Sequence, residues 1–167
     1  MFRLDWLEAL HYKSFSDGVF FLQNYAWVKQ QTKRLLAGVD LEAFTRVGKS
    51  LPRANFNPLY LDLEDTLGVS LYRLRRLGLD RGPSRAILDI GTGPGVFPYV
   101  CQHFGHRVVC TDIDNKPYYN DITELLKLDR RIWRVEKGIP APDFGTTCTN
   151  PLWMKSASIP RFANRTG

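Results

Sequence analysis

Apolar side chains recur at helical intervals through the first half of the chain and in short, dense runs through the second. Phe21, Tyr25, Val28, Thr32 and Leu35 fall three or four residues apart, and Gly38 stands where such a helix would stop. Residues 48–57, with Pro52 among them, read as a loop. Leu59, Leu63, Leu67, Leu71 and Leu74 then form one stripe. That stripe predicts a helix opening near Pro58, closing at Gly78 and packing against a sheet. Arg73, Arg75, Arg76 and Arg81 crowd its C-terminal end, where cations suit the helix dipole.

Gly82-Pro83 punctuates the chain, and the pattern changes. Residues 86–90, Ala-Ile-Leu-Asp-Ile, are a dense run that breaks abruptly at Gly91, Gly93 and Gly95. Val96, Phe97, Val100, Cys101 and Phe104 then mark the buried face of a helix. Pro98 is tolerable in its first turn, and Gly105 ends it. A second run, residues 108–112, ends in an acid, Asp112. Residues 117–126 read as a helix with Tyr118, Ile122, Leu125 and Leu126 inward, and residues 132–135 as a third strand. The succession β-α-β-α-β predicts an α/β fold with a mostly parallel sheet. Residues 144–150 offer a weak fourth strand, and residues 151–167 are polar, basic and read as irregular.

The glycines carry the chemistry. A buried strand, a tight glycine turn and a helix N-terminus together let a backbone approach an anionic group, and an acid closing the next strand suits ribose hydroxyls. The unit therefore points to a nucleoside-containing cofactor. The dinucleotide pattern G-x-G-x-x-G/A is not met, because its third slot is filled by Val96, too bulky for that close packing. A nicotinamide or flavin oxidoreductase is disfavoured on that ground. Instead the series is Asp89-x-Gly91-x-Gly93-x-Gly95.

That series resembles motif I of the class I S-adenosylmethionine (SAM)-dependent methyltransferases, and residues 108–112 resemble their second strand with its ribose acid. The resemblance covers roughly residues 84–136. It implies a Rossmann-like fold. It also implies that Asp89 orients the methionine amino group of SAM, while Gly91, Thr92, Gly93 and Gly95 present backbone N–H groups to its carboxylate. Gly93 is the position with the strongest need for positive φ. Asp112 would bind the ribose 2′- and 3′-hydroxyls, and Ile113 would pack on the adenine. Asp114 reads as a cap for the following helix. Asn150-Pro151-Leu152-Trp153 resembles motif IV of methyltransferases acting on nitrogen, with Leu152 in place of a second proline. There Asn150 would accept a hydrogen bond from the target amine and Trp153 would stack on its planar group; a chance Asn-Pro turn is the plainer explanation.

Class I methyltransferases usually carry seven strands, and this chain has room for about four. The expected organisation is an N-terminal helical region (1–82) packed on the sheet as cap or lid, a SAM-binding core (83–150) incomplete at its C-terminal side, and an irregular tail (151–167). Trp27, Tyr25 and Tyr60 are the aromatic candidates for a substrate lid. The expected function is methyl transfer from SAM to an unidentified nucleophile. The alternative is a shortened module that binds SAM without methylating and acts by binding or regulation. No catalytic residue is assigned.

Bulk properties narrow the partners. The 167-residue chain has a net charge of +6, which divides as +3, zero and +3 over residues 1–82, 83–143 and 144–167. Basic flanks would attract RNA or DNA, but no dense Lys/Arg run interleaved with aromatics appears, and solvated basic faces explain the charge as well. No apolar run is long enough to span a bilayer, and the N-terminus lacks a signal-peptide core. Cys101, Cys110 and Cys148 have no metal or disulfide spacing and fit a reducing compartment, so the cytoplasm is expected. His103 and His106, with Gly105 between them, lack the partners of a metal site, and none is assigned. Asp62 to Asp65 read as a solvated helix face.

Overall fold

A computed structural model describes residues 15–50, 62–113, 118–133 and 152–155. Among the described residues three helices come first, α1 (Phe15–Leu36), α2 (Leu41–Ser50) and α3 (Leu63–Arg76). Then strands and helices alternate: β1 (Ala86–Ile90), α4 (Val96–His103), β2 (Arg107–Asp112), α5 (Tyr118–Leu125) and β3 (Arg130–Ile132), with β4 (Leu152–Lys155) last. The four strands form one sheet in the order β3-β2-β1-β4, and every pairing is parallel. The chain is thus α/β, as its pattern predicts. Among the described residues no helix is long and apolar enough to cross a membrane.

The leucine stripe does what its spacing requires. Leu63, Leu67, Leu71 and Leu74 are buried in the main core, together with Val28 and Leu35 of α1, Ile87 of β1 and Val96, Phe97 and Val100 of α4. Phe21 of α1 stacks on Tyr72 of α3 with ring centroids 4.7 Å apart, and the Tyr72 hydroxyl donates to the Phe21 carbonyl at 3.2 Å. The strands divide by parity. Ile87, Val108 and Cys110 face this core, while Ala86, Leu88 and Val109 are buried in a separate cluster on the other face.

Several boundaries move. Residues 48–50, read as loop, form the last turn of α2. Phe44 is buried there, and Asp40 caps the helix by accepting the Ala43 N–H at 2.8 Å, so packing and capping outweigh the cost of Gly48. The helix placed near Pro58 is described from Leu63, where Asp62 is its N-cap and accepts the Asp65 N–H at 3.0 Å. Asp62 is therefore a cap and Leu63 a core residue, not parts of one solvated face; Pro58, Leu59 and Tyr60 lie outside the described residues. The third strand begins at Arg130, two residues earlier than read, and Trp133 continues its ladder by donating to the Asp112 carbonyl at 2.8 Å.

The largest departure is β4. The tail read as irregular supplies a strand, Leu152–Lys155, that pairs with Ile87 to Ile90. Without it β1 would present an unpaired edge there, and a short apolar stretch suffices to fill that edge. The fourth strand read at 144–150 lies outside the described residues.

Candidate functional site

The site is built where β1 and β2 end. Gly91 and Thr92 both donate their N–H groups to the Thr111 carbonyl, at 2.8 and 3.0 Å, so the turn is stitched to the neighbouring strand. Gly91, Gly93 and Gly95 have φ of +74°, +54° and +79°. Gly93 is open, with nothing within 4 Å of where a Cβ would sit, so only its backbone conformation demands glycine. Gly95 is confined as well. A Cβ there would collide with Leu128 Cδ1 and press on Thr123 Cγ2. Gly95 is also the N-cap of α4 and supplies no side-chain acceptor, which leaves the first N–H groups of the helix without one from that source.

Two carboxylates flank this turn in different states. Asp89 is 4% exposed and accepts the Thr92 hydroxyl at 2.6 Å. Burial raises its pKa, the Thr92 hydrogen bond and the Arg73 guanidinium oppose that rise, and Asp112 adds to it. Asp89 thus serves the turn itself, through Thr92. Asp112 sits at the surface end of β2. Its Oδ2 accepts the Gly93 N–H at 2.8 Å and its Oδ1 accepts the Ile113 N–H at 2.8 Å. Among the described residues each oxygen accepts one backbone N–H, and Oδ2 also faces the Arg130 guanidinium, whose Nη2 lies 3.7 Å away. Ile113 beside it is 42% exposed, and Ile132, opposite Asp112 in the β2–β3 register, is 50% exposed. A polar clamp therefore adjoins an accessible apolar surface.

All seven residues assigned to the cofactor, Asp89, Gly91, Thr92, Gly93, Gly95, Asp112 and Ile113, meet at this end of the sheet. Of the two assigned to the substrate, Trp153 alone lies among the described residues. Trp153 is a mid-strand residue opposite Leu88, and it is Lys155 that pairs with Ile90 at the loop end. Leu152 and Trp153 of the motif lie within β4; Asn150 lies outside the described residues, as does Asp114.

Trp27 is also misplaced for a lid. It packs against Phe104, at the end of α4 remote from the glycines, and stacks under the Arg75 guanidinium at 4.4 Å. Tyr25 lies beside Phe21 within α1, 6.0 Å between centroids. The helical layer sends Arg73 toward the site instead, with its guanidinium 5.3 Å from the Phe97 ring and acting on Asp89. Its position in a run of arginines at a helix end gave no hint of that. Arg130 was missed too. Its side chain, 4% exposed, lies 3.7 Å from Asp112 Oδ2.

The remaining candidates are structural. Cys101 and Cys110 are buried free thiols. Burial and the neighbouring Asp89 push both upward, Cys110 to about 12, which disfavours a thiolate nucleophile. His106 is buried, takes the Arg85 N–H on Nδ1 at 3.1 Å and donates from Nε2 to the Leu79 carbonyl at 2.7 Å. Both nitrogens are spent on tying the approach to β1 onto β2. Among the described residues no cluster of three or more His, Cys, Asp or Glu could hold a metal ion. A cleft of about 460 Å³ lies between Phe20, Gln23 and Asn24 of α1 and Arg75, Gly78, Asp80 and Arg81. Its lining shares no residue with the glycine turn.

Comparison with protein-family models, with curated proteins and with solved structures finds no match to this chain.

Proposed function

We propose that the chain binds SAM at the turn between β1 and α4 and transfers its methyl group to a nucleophile. The observation that carries this reading is Asp112. Its carboxylate accepts one backbone N–H on each oxygen, Gly93 on Oδ2 and Ile113 on Oδ1, both at 2.8 Å, which holds it in one orientation beside the glycine turn. The strand order supports a Rossmann-like fold, since β3-β2-β1-β4 is the order of the first four strands of the doubly wound sheet. In such sheets ligands sit outside the carboxyl ends of the strands where the order reverses, and β1 is that strand here.

In this reading Asp112 holds the ribose, Ile113 covers one face of the adenine, and the N–H groups of the turn and of α4 face the methionine carboxylate. Asp89 keeps Thr92, and through it the turn, in place. Bound SAM supplies a methyl group already activated on a sulfonium, so that transfer is an in-line displacement. The chain's own task is to hold a nucleophile about 3–3.5 Å from that carbon and to exclude water. The methyl acceptor is unassigned. Calorimetric titration with SAM and with S-adenosylhomocysteine (SAH) tests the reading. Saturable binding lost in Asp112→Ala is the expected result, and a folded protein that binds neither ligand overturns it. Binding of SAM without transfer to any nucleophile would favour the second reading, a SAM-binding module with a regulatory role. The sheet of four strands among the described residues is what favours that reading.

A further inference from the structure

Arg130 is a costly residue to bury, and its surroundings show what it is for. It opens β3, and its side chain is 4% exposed. Nη1 donates to Asn120 Oδ1 on α5, and Nη2 donates to the Ile113 carbonyl at 3.3 Å while lying 3.7 Å from Asp112 Oδ2. Its Nε is buried with no hydrogen-bond partner among the described residues. A buried guanidinium is tolerated only beside a compensating anion, and even then it is poor evidence for stability. With that N–H unpaired among the described residues, stability alone does not explain its presence. Among the described residues its hydrogen bonds and its ion pair converge on the end of β2, at Ile113 and Asp112, or anchor it to the start of α5.

We infer that Arg130 is the positioning residue of the nucleoside site. It holds the Asp112 carboxylate so that Oδ2 stays on the Gly93 N–H and the carboxylate keeps one orientation at the end of β2. This inference rests on the proposed SAM site for its purpose, but not for its geometry. A lysine could supply the charge. It could not reach Asn120, Ile113 and Asp112 together, since a guanidinium fork spans directions that an ammonium does not.

Two measurements separate the claims. The first needs no ligand: hydrogen exchange at the Gly93 and Ile113 amides in the wild type, Arg130→Met and Arg130→Lys. Arg130→Met should speed Gly93 exchange about tenfold or more, with Arg130→Lys between it and the wild type, while core amides such as Val100 hold their protection. Unchanged Gly93 exchange in both folded variants overturns the inference. Should Arg130→Met not fold, Arg130→Lys alone decides on the same criterion. The second is a double-mutant cycle on SAH affinity with Asp112→Asn. Arg130→Met should weaken SAH about tenfold in the wild type and less than about threefold in the Asp112→Asn background, as for residues in one network. Equal losses in both backgrounds mean that Arg130 does not act through Asp112 and overturn the inference. A wild-type protein that binds no SAH refutes the cofactor reading, and Gly93 exchange then still decides the role of Arg130.

Discussion

The helical layer and the glycine end of the sheet are held by opposite means. In the first, α1 and α3 meet through Phe21, Val28, Leu35, Leu67, Leu71 and Leu74, apolar side chains that share the burden. In the second, a five-residue turn is held by two N–H groups on the Thr111 carbonyl, one on Asp112 and one hydroxyl on Asp89. Apolar packing is additive and redundant, whereas a turn with three positive-φ glycines depends on each of its few bonds. The stable part of the molecule and the chemically specific part are therefore encoded differently, and mutations should separate them.

The largest expected effect falls on the helical side. Leu71→Ala removes a fully buried side chain and should cost about 2–5 kcal/mol in denaturant unfolding, with ligand affinity of the folded fraction unchanged. A loss of affinity parallel to the loss of stability would break the division. Next is Gly95→Ala, which combines a positive φ with a collision against Leu128. It should cost roughly 1–3 kcal/mol and also move the turn, so stability and SAH binding should fall together. Gly93→Ala sharpens the contrast, because the site is open and only the backbone objects. About 1 kcal/mol is expected in chemical denaturation.

The smallest effect is that of Asp89→Asn, and it depends on pH. Burial raises the Asp89 pKa in the folded chain, so the folded state holds that proton more tightly than the unfolded state. The stability this gives is fully present below the unfolded value and is lost as pH rises through the folded one. The asparagine variant should therefore melt higher than the wild type at neutral pH, with the gap closing as pH falls into the carboxylate range. A gap that widens on acidification would mean that the Thr92 bond, not burial, dominates at Asp89.

The same contrast explains what could be read from the chain. The Leu63 to Leu74 stripe and the runs of β1 and β2 were legible because periodic burial writes itself into every third or second position. The turn was legible because positive φ and close approach leave glycine little competition. Arg130 and Arg73 were not, since an arginine at a strand start or helix end looks the same whether it meets solvent or a carboxylate across the fold. The strand at Leu152–Lys155 was hidden because its main warrant is the open edge of β1, a tertiary fact. Trp27 misled for a related reason: periodicity gives the face of a helix, not which end of its neighbour that face meets.

A titration with SAH followed at backbone amides tests the central claim most directly. Gly91, Gly93 and Ile113 should shift saturably and together, while Val28 on α1 and Leu71 on α3 stay in place. Loop resonances that do not move, or shifts confined to the helical layer, would contradict the assignment of the glycine end of the sheet as the nucleoside site.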